Sequence, residues 1–126
     1  MQRIVIIGGG FAGADLARRL QRKLRSDWEV LLYSRENHFV FTPLLPEVVG
    51  AAINPLHVVW PVREMAPGAI CRTVEVKSLD FDNQEIEYLG PEDQPLRQKY
   101  DHLILGCGLD VNLDLVPGLR EYGWAI

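Results

Sequence analysis

The apolar positions change period twice near the start of the chain. Arg3-Ile4-Val5-Ile6-Ile7 is an unbroken β-branched run stopped by glycines, the pattern of a strand buried on both faces of a parallel sheet. From Phe11 to Arg25 the spacing turns helical, with Ala12, Leu16, Ala17, Leu20 and Leu24 on one stripe. Ser26-Asp27 ends that pattern, and Glu29-Val30-Leu31-Leu32-Tyr33 is a second buried run. The expected unit is strand–helix–strand, closed by a right-handed crossover.

Beyond it the pattern is less regular. Residues 37–49 are strongly apolar, yet Pro43 and Pro46 argue against a regular helix or central strand there. A hydrophobic loop plugging the base of a core is one reading. Asn54-Pro55 marks a turn, and Pro61 is expected in the first turn of a short helix with Val62 and Met65 facing inward. Pro67-Gly68 ends it. Cys71 to Phe81 partly alternates, and Glu85 to Leu89 returns after the Asp82-Asn83-Gln84 turn, so Cys71–Leu89 is expected to form an antiparallel excursion. Gly90 to Gln98 reads as a polar loop. Tyr100–Leu105 is a third buried strand, ending in Gly106-Cys107-Gly108, and residues 110–118 form a connection. The predicted fold class is α/β, mostly parallel, with that excursion.

The chemistry concentrates where the first strand meets the helix. Gly8, Gly10 and Gly13 form G-x-G-x-x-G, spaced as a dinucleotide-binding turn requires. Gly8 permits the tight turn, Gly10 lets a pyrophosphate approach the backbone, and Gly13 lets the helix lie close to the strand. The free amides of the helix start, at Phe11 and Ala12, then face the phosphates with the positive end of the dipole. An acidic residue usually grips a ribose at the end of the second strand, but here Ser34 stands there, followed by Arg35 and Glu36. Serine with arginine suits a 2′-phosphate, which would make an NADP site. Alternatively Ser34 bonds a ribose as a neutral group with Glu36 nearby, the preferred reading given the segment that follows.

Bulk properties narrow the classes. The 126 residues, 48% hydrophobic and 24% charged, are ordinary for one globular domain. A net charge of −4 gives no general attraction to nucleic acid or anionic membrane. The basic cluster Arg18, Arg19, Arg22, Lys23 and Arg25 reads as a solvated helix end. Cys71 and Cys107 are far apart, which argues against a dithiol pair or zinc cluster and fits a reduced cytoplasmic setting. His38, His57 and His102 show no ligand spacing and are expected to be structural. No signal-peptide pattern or membrane-spanning apolar run is seen.

Strand-G-G-G-F-A-G-helix followed by R-E-N-H-F-V-F-T-P-L-L-P-E-V-V-G resembles the N-terminus of type II NADH dehydrogenases, flavoproteins of the pyridine-nucleotide disulfide oxidoreductase-like superfamily. They pass electrons from NADH through FAD to a quinone. The resemblance covers all 126 residues but only the N-terminal portion of that family. It implies a Rossmann-like FAD-binding domain, incomplete here, with the NADH-binding domain and the membrane-binding region following. It also implies that Thr42, Pro43 and Leu44 lie beside the isoalloxazine, and that the Val76 backbone pairs with adenine. Gly106, Cys107 and Gly108 would pass close to FAD, with Cys107 a small buried residue there. Val116-Pro117-Gly118 is similar to the family's I-P-G turn. The complete enzyme would be peripheral on the cytoplasmic face of a membrane.

No catalytic acid, base or nucleophile is evident, so the chain alone is expected to be catalytically incomplete. A different class remains open: a stand-alone nucleotide-binding or assembly module, holding NADP, FAD or nothing. Self-association through exposed apolar surface is expected, with Phe39–Val49 as the exposed patch.

Overall fold

The computed structural model describes residues 1–110 and 112–123. Its centre is a four-stranded parallel sheet built from β1 (Gln2–Ile7), β2 (Trp28–Ser34), β5 (Ile70–Thr73) and β9 (His102–Leu105), in the order β5-β2-β1-β9. β1 is therefore central, paired from Gln2↔Trp28 to Ile7↔Tyr33 on one side and from Ile4↔His102 to Ile7↔Leu105 on the other. Helix α1 (Phe11–Lys23) joins β1 to β2.

The unbroken apolar runs are explained by what covers each face. Ile4, Ile6, Val30 and Leu32 point to one side, where Ala17 of α1 and Val62 and Ala66 close the core. Val5, Leu31 and Tyr33 point to the other side and pack on Ile86, Tyr88 and Tyr100. That second cover is an antiparallel sheet of β6 (Val76–Asp80), β7 (Glu85–Leu89) and β8 (Pro95–Lys99), in the order β6-β7-β8. It carries the chain from β5 to β9, the place a crossover helix commonly holds.

Three expectations are corrected here. Cys71–Phe81 is not one strand of the excursion. Ile70–Thr73 pairs parallel with Leu31–Ser34, and only from Val76 does the chain enter the antiparallel sheet. The Val74 amide donates to the Ser34 carbonyl at 2.9 Å, and there the parallel pairing ends. Residues 95–98 of the expected polar loop, together with Lys99, are a strand paired with β7. It lies at the edge, mostly solvated, so backbone pairing alone forms it and no apolar alternation marks it.

The third correction concerns residues 37–65. His38–Val40 (β3) pairs antiparallel with Val59–Pro61 (β4). Between them Thr42–Leu44 is a 3₁₀ turn and Leu45–Val49 a short helix, α2. Pro43 and Pro46 lie in the first turns of these two elements, where the missing N–H costs nothing. Pro61 caps α3 (Val62–Met65) from outside rather than sitting in its first turn; Val62 is buried and Met65 packs against the core. A further short helix, α4, spans Leu119–Tyr122.

Candidate functional site

The chain order reverses at β1: α1 leads to β2 on one side, while β9 lies on the other. Open α/β sheets leave a crevice at the carboxyl ends of strands where this happens. A cleft of about 1020 Å³ opens there, bordered by Ile7 and Gly8 at the end of β1 and by Leu105 and Gly106 at the end of β9.

The glycines divide into two mechanical classes. Gly8 has φ +111°, and a Cβ there would overlap the Gly106 carbonyl oxygen; a Cβ on Gly13 would overlap the Gly8 carbonyl oxygen. Both are needed for close approach of the backbone to itself. Gly10 is different, because a Cβ there would meet nothing within 4 Å. Its missing side chain opens space on the cleft. Gly10 is also the N-cap of α1, with no side-chain cap and no acidic residue in the first turn. The first intrahelical bond runs from the Ala14 amide to the Gly10 carbonyl, 3.0 Å, so the amides before Ala14 are spare donors at the positive end of the helix. Spare amides at the positive end of a helix are the donors an anionic group requires.

The end of β2 and the start of β6 supply further walls. Ser34, Arg35 and Glu36 border the cleft, as do Val74, Glu75 and Val76. The Glu75 carboxylate is held below its ordinary range by the Lys77 ammonium, 2.7 Å away, with a smaller pull from Arg35. Phe11 stands edge-on to Phe39 at 4.8 Å and to Phe41 at 5.5 Å between ring centroids, fixing the helix start against β3. Below the cleft wall the Tyr33 hydroxyl is buried beside the Tyr88 phenol and makes no well-formed hydrogen bond. Burial first, then that neighbour, pushes its pKa well up.

Of the residues expected to meet a cofactor, Gly8, Gly10, Phe11, Ala12, Ser34, Arg35, Thr42, Val76, Gly106, Cys107 and Gly108 all border this one cleft. Gly13 packs inside the turn, and Pro43 and Leu44 stand off the lining. Cys107 is exposed, not buried as expected, with its Sγ 3.8 Å from the Ile7 carbonyl oxygen. The strand ends at Leu105, so Cys107 falls on the open rim, and Gly108 then turns the chain at φ +71°. Cys71 is half-buried, and burial pushes its thiol up. Residue 111, within the expected connection, lies outside the described residues.

Gly9, His38, Phe39, Val40, Val74, Glu75 and Leu109 are among the cleft residues that sequence reasoning missed. Gly9 carried a readable signal, as the middle of three consecutive glycines: a Cβ there would lie 2.5 Å from Ser34 Oγ.

A strand, a glycine turn and an uncapped helix start at a switch point, with open space over Gly10, define a Rossmann-like domain of the dinucleotide-binding type. Residues 2–126 match the pyridine nucleotide-disulphide oxidoreductase family, and the chain belongs to it. It is 32% identical to the demethylphylloquinone reductase NdbB of Synechocystis, over 96% of this chain and 31% of that protein. It is 30% identical to the external alternative NAD(P)H-ubiquinone oxidoreductase B3 of Arabidopsis thaliana mitochondria, over 95% of this chain and 22% of that protein. The NDH2 structure from Plasmodium falciparum in complex with NADH superposes with a TM-score of 0.79 at 24% identity, covering 96% of this chain and 25% of that one. The chain thus spans less than a third of the length of these relatives. Among the described residues no helix is long and apolar enough to cross a membrane.

Proposed function

We propose that these residues are the N-terminal part of the FAD-binding domain of a flavin-dependent NAD(P)H:quinone oxidoreductase. The observation that carries the reading is the open space at Gly10, over an uncapped helix start. Family membership and relatives named as NAD(P)H-ubiquinone and demethylphylloquinone oxidoreductases support it.

The cleft fits the adenosine and pyrophosphate end of a dinucleotide. Gly8, Gly10 and the amides of Phe11 and Ala12 would hold pyrophosphate, and Ser34, Arg35 and Glu36 the ribose. The Val76 backbone would meet the adenine, and Thr42 with Gly106–Gly108 the flavin side. The chemistry FAD supplies when bound is acceptance of a hydride and onward transfer of the electrons. This chain's own part is binding, orientation and exclusion of water. Nicotinamide and quinone would meet parts of the protein beyond these residues, as the length of the relatives supports. The complete protein would then lie peripherally on a membrane.

The test is oxidation of NADH with a quinone acceptor, with and without added FAD. The isolated 126 residues are expected to bind FAD weakly or not at all and to show no turnover. Robust turnover would show that this division of labour is wrong.

A further inference from the structure

Ser34, Glu36 and His38 border not only the cleft but also a second, smaller cavity of about 320 Å³. It lies at the ends of β2 and β5, where Leu32, Val62 and Cys71 of the helix-side core provide its apolar part. Two arginines border it, Arg63 of α3 and Arg72 of β5, beside the Thr73 hydroxyl. Neither has an ion-pair partner among the described residues, a state they share with Arg22, Arg25 and Arg35, but these two are the arginines that border this cavity. The single carboxylate on the lining, Glu36, lies 4.0 Å from His38 Nδ1. Two unpaired guanidinium forks and hydroxyl donors around one cavity match a tetrahedral oxyanion.

We propose that this cavity is a second ligand site, taking a phosphate-type oxyanion between Arg63 and Arg72. The phosphate has two sources of the same chemistry. It can be free in solution, or it can be carried on the 2′-oxygen of a nucleotide such as NADP, whose ribose would then take the place at Ser34 that FAD, with no 2′-phosphate, otherwise holds. The site needs no FAD, so its test stands apart from the cofactor reading.

The experiment is thermal unfolding of the 126-residue chain in sodium chloride, inorganic phosphate, AMP or adenosine 2′,5′-bisphosphate, at equal ionic strength. Phosphate is expected to raise Tm by about 5 °C at about ten times its dissociation constant. The Arg63→Gln/Arg72→Gln variant should lose that shift while keeping its Tm in chloride, because both side chains are exposed and unpaired. If the double variant unfolds, Arg72→Lys provides the comparison. It keeps the charge but loses the fork, and should bind phosphate about tenfold more weakly. A larger shift with the bisphosphate than with AMP assigns the phosphate to a nucleotide; equal shifts, with phosphate still active, assign it to the free anion. No phosphate-dependent shift in the unsubstituted chain, or an equal shift in the arginine variants, overturns the proposal.

Discussion

A side-chain carbon on Gly8 would overlap the carbonyl oxygen of Gly106, so β1 and β9 reach the cleft together only with no side chain between them. Gly8→Ala also places alanine at φ +111°. We expect this variant to lose about 3 kcal/mol or more, enough to unfold much of a small domain. Urea unfolding followed by circular dichroism measures it.

Gly13 and Gly10 should separate folding from binding. Gly13→Ala drives a carbon into the Gly8 carbonyl and should destabilise by a similar amount. Gly10→Ala meets open space, so its stability cost is at most about 1 kcal/mol, from the poorer N-cap. Parallel denaturation curves of the two variants check the contrast.

Gly9 and Ser34 form a matched pair. Gly9→Ala would put its Cβ 2.5 Å from Ser34 Oγ and 2.8 Å from Ser34 Cβ, which a rotamer change cannot relieve. The single variant should cost about 1–3 kcal/mol, and Ser34→Gly in the same chain should recover about half of that. A double-mutant cycle with no coupling would contradict the contact.

Stability should fall at both ends of the pH scale. Asp15 is held below its ordinary 3.8 by Arg18 and Arg19, Asp80 by Asn83, and Asp114 by Arg120. Glu75 is held below 4.5 by Lys77. Lowered folded values mean that stabilisation is complete above the ordinary values and fades as pH falls through the lower ones. All four carboxylates are exposed, so the acid decline is expected to be shallow. Tyr33 has the opposite sign: its folded value is raised, so stability holds below its ordinary 10.0 and is lost as pH rises beyond it. Tm measured from acid to alkaline pH should show a flat middle and both declines.

The exposed apolar surface includes part of the expected Phe39–Val49 patch and extends beyond it. Phe39 is 5% exposed, a core residue, although Val49 is 71% exposed. After β9, Leu109 is 103% and Leu115 77% exposed, and β9 itself is an edge strand with no lysine, proline or bulge to guard it. Self-association through this end is expected at high concentration. A clean monomer in sedimentation equilibrium would contradict it.

These outcomes follow what was legible in the sequence. β1, α1, β2 and the glycine turn were readable because each is local: an unbroken apolar run marks a strand covered on both faces, and G-x-G-x-x-G marks the turn. β5 and β8 were not readable as placed, since pairing with Leu31–Ser34 or with β7 depends on distant backbone rather than on periodicity. The cleft followed the same division. Gly8, Gly10, Phe11, Ala12 and Ser34 announced themselves, while His38 and Val40 arrive through β3–β4 pairing that no short pattern reports. The glycine spacing alone could not say which glycine packs and which faces open space; only the folded turn separates Gly13 from Gly10.

Amide chemical-shift mapping is the direct test for a flavin dinucleotide in the cleft, because it detects binding too weak for a flavin absorbance assay. ¹⁵N-labelled chain is titrated with FAD, alongside Gly10→Val. The expected shifts cluster on the amides of Gly8 to Gly13, Ser34 to Glu36 and Val76, and vanish in the folded Gly10→Val variant, whose side chain fills the open space at Gly10. Shifts scattered away from this cleft, or an unchanged response in Gly10→Val, would contradict the assignment of the cleft to a flavin dinucleotide.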